Sequence, residues 1–127
     1  MMDDLLISEK ELAPYCTEDG LLGKARGLLV QQKNSWDLLR SGYASLRDVE
    51  TRRFEFDGFV VNVQHNPGRL ASTTALVDEE SIRKRQCFLC LPNLPAQQRG
   101  FLFEDYLVLC NPFPIFSEHF TLAHRKH

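Results

Sequence analysis

The sequence predicts an α+β fold in which amino-terminal helices pack on an incomplete antiparallel sheet. Three observations predict it. Apolar residues recur at helical spacing through the first third of the chain, a strand–turn–strand pattern follows, and short apolar segments separated by a proline loop close the chain. At 127 residues and 43% hydrophobic content, the chain is a single domain's worth with enough apolar mass for a core. Residues 1–50 form the helical region and residues 51–127 the partial α+β domain.

Residues 1 to about 47 read as helical. Between Leu21 and Leu39 the apolar positions Leu22, Ala25, Leu28, Leu29, Trp36 and Leu39 lie close to helical spacing. A polar run, 31–35, interrupts them. Ser35 is placed to cap a second helical piece and Ser41-Gly42 to stop it. A packing helix with a solvent-facing polar side is expected.

The next element is defined by its turn. Arg52-Arg53-Phe54-Glu55-Phe56, then Asp57-Gly58, then Phe59-Val60-Val61-Asn62-Val63 has the form of a two-residue hairpin. Pairing outward sets Phe56 opposite Phe59 and Phe54 opposite Val61, all on one face, with Arg53, Glu55, Val60, Asn62 and Gln64 on the other. His65-Asn66-Pro67-Gly68-Arg69 then breaks the strand. A short helix spans 78–85, a Cys-Phe-Leu-Cys knuckle follows, and 91–100 reads as loop. Residues 106–110 read as a strand and 120–123 as a second apolar segment, with Asn111-Pro112-Phe113-Pro114 as loop between them.

Charge and length exclude several functions. A net charge of −2 leaves no basic excess for a nucleic-acid partner, and Arg83-Lys84-Arg85 reads as a solvated helix end. No segment reaches the roughly 18 apolar residues of a membrane span. The acidic start Met1-Met2-Asp3-Asp4 lacks the order of a secretory signal, so Cys16, Cys87, Cys90 and Cys110 are expected as free thiols in a reducing, cytoplasmic protein.

Two groups of residues carry chemistry. Cys87 and Cys90 form a C-x2-C pair, a spacing that lets two thiolates reach one tetrahedral zinc ion at about 2.3 Å. His119, His124 and His127 are the further ligand types near the chain's end. A pair of buried small thiols and a redox dithiol are the alternative readings, the last opposed by flanks that are a charged helix end and a proline loop. Arg69 is the phosphate candidate, because a planar, permanently charged fork suits phosphate oxygens and Gly68 lets the backbone approach closely. Asn66 is placed to read a base or ribose, Ser72 and Thr73 to add hydroxyl donors, and Asn111 with Phe113 to line the same pocket. Ordinary turn chemistry with a surface arginine is the competing reading. His65 reads as a surface residue at a strand end and His124 as an exposed one.

The segment from His119 to His127, HFTLAHRKH, resembles the strand and basic turn of the histidine-triad superfamily. Before it, Glu104 to Pro114 is similar to that group's acidic residue, strand and proline loop. Gln64-His65-Asn66-Pro67-Gly68-Arg69 with Ser72-Thr73 resembles the Q-x-N-P-x-R segment of diadenosine-tetraphosphate phosphorylase and galactose-1-phosphate uridylyltransferase relatives. Together, residues about 28 to 127 resemble the front part of the DUF4922 family.

That resemblance implies a truncated histidine-triad-like fold and a parent activity. The parent would transfer a nucleoside monophosphate between phosphate-bearing acceptors, or phosphorolyse a dinucleotide. It implies Asn66, Arg69, Ser72, Thr73 and Asn111 as nucleotide-binding residues, a structural zinc held by Cys87, Cys90 and His127, and a nucleotide, nucleotide-sugar or dinucleotide ligand. His119 is structural or near the site. The relatives' nucleophile lies in a downstream His-x-His cluster, and this sequence contains no His-x-His. No catalytic residue is therefore assigned. The chain is expected to be an amino-terminal part that lacks activity alone, completed by a carboxy-terminal half or self-associating as a homodimer. A non-catalytic zinc- or nucleotide-binding module and a CxxC redox or metal-sensing protein are the alternatives.

Overall fold

The computed structural model describes residues 2–69 and 74–126. In chain order these form helices α1 (Met2–Leu5), α2 (Glu9–Leu12), α3 (Gly20–Ser35) and α4 (Asp37–Ser45), then strands β1 (Glu50–Phe56) and β2 (Phe59–His65). Helix α5 (Glu79–Lys84) and strands β3 (Gly100–Phe103), β4 (Tyr106–Cys110) and β5 (Phe120–His124) complete it. The fold is α+β, with two separate antiparallel sheets, β1-β2 and β3-β4-β5. Helices α3 and α4 pack on the second.

Local signals account for the helix boundaries, and two differ from expectation. Helix α2 opens at a reciprocal capping box, in which Ser8 Oγ accepts the Glu11 amide at 3.2 Å and the Glu11 carboxylate accepts the Ser8 amide at 3.0 Å. Ser35 does not cap α4; its hydroxyl donates back to the Gln31 carbonyl at 3.0 Å. The junction residue is the buried Trp36, held extended by its packing in the core. Arg40 reaches back to satisfy the open end of α3, donating to the Lys33 and Asn34 carbonyls at 2.8 and 2.9 Å. Nor does Gly42 stop α4, which continues to Ser45. The proline loop crosses the helix there, and a side chain at Gly42 would run into the Pro112 carbonyl.

The core lies between α3–α4 and the three-stranded sheet. Leu28, Leu29, Trp36 and Leu39 meet Phe101, Val108 and Cys110, with Ile7 and Leu12 closing one side. Leu107 and Leu109 point to the opposite face, where Leu5 covers them, so β4 is buried on both sides. Leu22, expected inward, is exposed, and the polar side of α3 is not wholly solvated. Gln32 is fully buried: its amide nitrogen donates to the Gln97 carbonyl at 3.2 Å and its oxygen accepts the Arg99 amide at 2.8 Å. The amino-terminal segment docks on the sheet edge through the Ile7 amide, which donates to the Gly100 carbonyl at 2.9 Å.

Strand β3 falls partly in the expected loop 91–100 and otherwise in residues given no element in the sequence reading. The β1–β2 hairpin has the predicted register, with Phe56 opposite Phe59, Phe54 opposite Val61, and the Phe56 and Phe59 rings stacked at 4.9 Å. Every residue of both strands is exposed. Helix α5 also stands on the surface, its start capped by Asp78, which accepts the Ser81 amide at 2.9 Å.

Candidate functional site

Two asparagine turns shape the site. After β2, Asn66 Oδ1 accepts the Gly68 amide at 2.9 Å and its Nδ2 donates to Ser45 Oγ at 3.3 Å, tying the turn to the end of α4. A side chain at Gly68 would collide with Ser45, so this turn requires glycine for its close approach. After β4, Asn111 Oδ1 accepts the Phe113 amide at 2.9 Å while its Nδ2 donates to Thr121 Oγ1 at 3.3 Å. Arg69 from the first turn and Asn111 from the second line one cavity of about 540 Å³. Arg85, Phe88, Asn93 and Phe113 share its walls, with Trp36 and Leu109 behind them. No aspartate or glutamate is among the described residues lining it. Asn66 is held back in its turn, and Ser72 and Thr73 lie outside the described residues.

The proline loop beside this cavity is latched to α4. The Tyr43 hydroxyl accepts the His119 amide at 3.0 Å and donates to the His119 carbonyl at 3.4 Å. Burial raises the Tyr43 pKa, and Lys33 Nζ sits 4.2 Å from its ring centre. Burial, and then the charge of Arg69, lower the His119 pKa, which favours the neutral imidazole. Its Nδ1 accepts the Ile115 amide at 3.2 Å, which leaves the proton on Nε2. Sequence reasoning passed over Tyr43, which no local motif marks, and took Arg85 for part of a solvated charge run.

The C-x2-C knuckle adjoins the same cavity through Phe88 and Leu89. Cys87 and Cys90 are half-buried, with the Cys90 amide donating to the Cys87 carbonyl at 3.3 Å and Asn93 Nδ2 to the same carbonyl at 2.8 Å. Their thiols are hydrogen-bonded neighbours. That hydrogen bond first, then burial, then the charge of Cys87 raise the Cys90 pKa. A closed tetrahedral zinc site takes four ligands, and this pair offers two. A second cavity of about 320 Å³ places His124 with Cys90, while His127 lies outside the described residues. Among the described residues, no three metal-binding side chains cluster. Cys110 is different: burial pushes its thiol up to about 12, which leaves it inert.

A third cavity, of about 500 Å³, has the opposite character. Glu9, Glu18 and Asp19 rim it above Ile7, Leu12 and Phe101, and Lys24, the one cation among its described lining residues, is paired with Glu9 at 2.7 Å. The two large cavities thus differ in the charge of their described linings, arginines without carboxylates in one and mainly carboxylates in the other.

A family model described as "Domain of unknown function (DUF4922)" matches residues 28–127. No curated protein and no solved structure matches the chain.

Proposed function

The chain belongs to the DUF4922 family, and we propose that it forms the nucleotide-phosphate and zinc-binding part of a histidine-triad-like nucleotidyltransferase or dinucleotide phosphorylase. One observation carries this: a cavity of nucleotide size joins arginine, aromatic rings and carboxamides with no carboxylate in its described lining. Arg69 meets the phosphate by charge-assisted hydrogen bonds, and Phe88 and Phe113 offer faces for a base. Asn111 shapes the proline-loop wall and Asn66 holds the turn that presents Arg69. Ser72 and Thr73, a few residues beyond Arg69, add hydroxyl donors.

In this reading Cys87 and Cys90 hold zinc with His127 as third ligand. When bound, the ion supplies a structural clamp on the knuckle that forms one wall of the cavity. No residue is assigned as nucleophile.

Calorimetric titration with the four common nucleoside 5′-diphosphates tests the binding claim. At least one binds the wild-type chain, and Arg69→Ala weakens it about tenfold or more; no binding of any of the four contradicts the proposal. Zinc in protein purified without chelator should be lost in Cys87→Ser and Cys90→Ser, and unchanged metal content removes the ligand assignment. A second reading, binding without turnover, agrees with the lack of a His-x-His motif in this sequence. Incubation with an α-labelled nucleotide separates the two, since a covalent adduct requires a nucleophile in this chain.

A further inference from the structure

Helix α5 carries three consecutive cations at its end, and they have different fates. Arg83 pairs with Glu79 and Lys84 with Glu80, each one helical turn back, so these two charges are balanced in solvent. Arg85 has Ser81 at the equivalent position. The helix ends there, with the Arg85 amide donating to the Ser81 carbonyl and the backbone turning extended. Its side chain leaves the direction of its neighbours: Nη2 donates to the Leu76 carbonyl, and the residue lines the same cavity as Arg69. Among the described residues no carboxylate pairs with Arg85 or lines that cavity.

We propose that Arg85 is a second anion-binding residue of this cavity, so that a ligand is held through two phosphoryl groups, one at Arg69 and one at Arg85. This rests on the phosphate reading of the cavity and adds a specificity residue to it. Two observations support it besides charge. The cavity, at about 540 Å³, is far larger than one phosphoryl group needs. The two arginines also come from two different elements, the turn after β2 and the end of α5, that meet at one cavity, so a single ligand can reach both. A guanidinium offers several N–H donors in a planar fork, and the Leu76 carbonyl occupies one of its nitrogens. The rest suit phosphate oxygens.

Pyrophosphate and inorganic phosphate, titrated calorimetrically into the full chain, test this without reference to the base. Wild type binds pyrophosphate about tenfold more tightly than phosphate. Arg85→Ala removes that preference while leaving phosphate affinity unchanged, and Arg83→Ala changes neither. Arg85→Lys, which keeps charge but loses the planar fork, gives an intermediate preference and shows that an effect of Arg85→Ala does not come from unfolding. An Arg85→Ala chain with wild-type pyrophosphate affinity overturns the role of Arg85, as does an equal effect of Arg83→Ala. If nucleoside diphosphates still bind in an Arg69-dependent way, only the role of Arg85 has failed. If neither the anions nor the nucleotides bind wild type, the phosphate reading of the whole cavity has failed with it.

Discussion

Among the described residues, two hairpins have two-residue turns, and they differ in nearly every other respect. β1 and β2 join through Asp57-Gly58, with Gly58 at φ 84°, and all their side chains stand in solvent. β3 and β4 join through Glu104-Asp105, with Glu104 at φ 53°, a conformation that non-glycine residues seldom adopt, and β4 is buried on both faces. The exposed hairpin announces itself in sequence, since its alternation and Asp-Gly turn are local. The buried one announces only half of itself: the apolar run of β4 reads as a strand, but β3 lies behind a Glu104-Asp105 turn that carries no glycine signal. Pairing is a local property of the chain; burial is decided by what packs against it.

Substitutions in the two sheets test that contrast first, because they have the largest expected effect. Leu109 is 0% exposed, and Leu109→Ala should cost about 2–5 kcal/mol in denaturant unfolding. Phe56, at 54% exposure, should cost less than about 1 kcal/mol when changed to alanine. Equal losses would break the contrast, for they would mean that the hairpin face is covered in solution. Tyr43→Phe comes next. Removing the hydroxyl that both accepts from and donates to His119 should cost about 1 kcal/mol and speed exchange of the His119 amide, while the hairpin amides stay unchanged.

The pH response is smaller still and should belong to the covered side alone. The His119 pKa lies below its usual 6.5, so as acid is added the unfolded chain takes a proton that the native ring resists. The His119 contribution should be constant above about pH 7, and stability should decline as pH falls through 6.5 toward the native value. The slope is shallow because the ring is partly solvated. His119→Gln should flatten this window and leave intact the losses below about pH 4.5, where Glu11 and Glu118, both held low by hydrogen-bonding partners, take up protons.

Much of the fold could be read where local chemistry decides it. The Asp57-Gly58 hairpin, the Asp78-capped helix and the 106–110 strand match expectation because turn residues, caps and short apolar runs act over a few positions. Strand β3 could be found only by treating Glu104-Asp105 as a turn between two apolar runs, although neither residue favours that conformation as glycine does. Gln32 and Gly42 sit in unremarkable helical sequence, and contacts with residues far along the chain determine their roles. The site divides the same way. Arg69 and Asn111 belong to recognisable turns and do line one cavity, whereas Arg85 depends on where α5 stops and Tyr43 on a loop that arrives from the other end of the chain. Ser72, Thr73 and His127 lie outside the described residues.

The cavity between the turn after β2 and the proline loop, which has no carboxylate among its described lining residues, should receive the phosphate of a nucleotide. Mapping backbone amide shifts by NMR during titration with a nucleoside diphosphate tests it most directly. The largest shifts should cluster at Arg69, Arg85, Phe88, Asn111 and Phe113. Shifts concentrated around Glu18 and Asp19, or spread evenly over the surface, would contradict it.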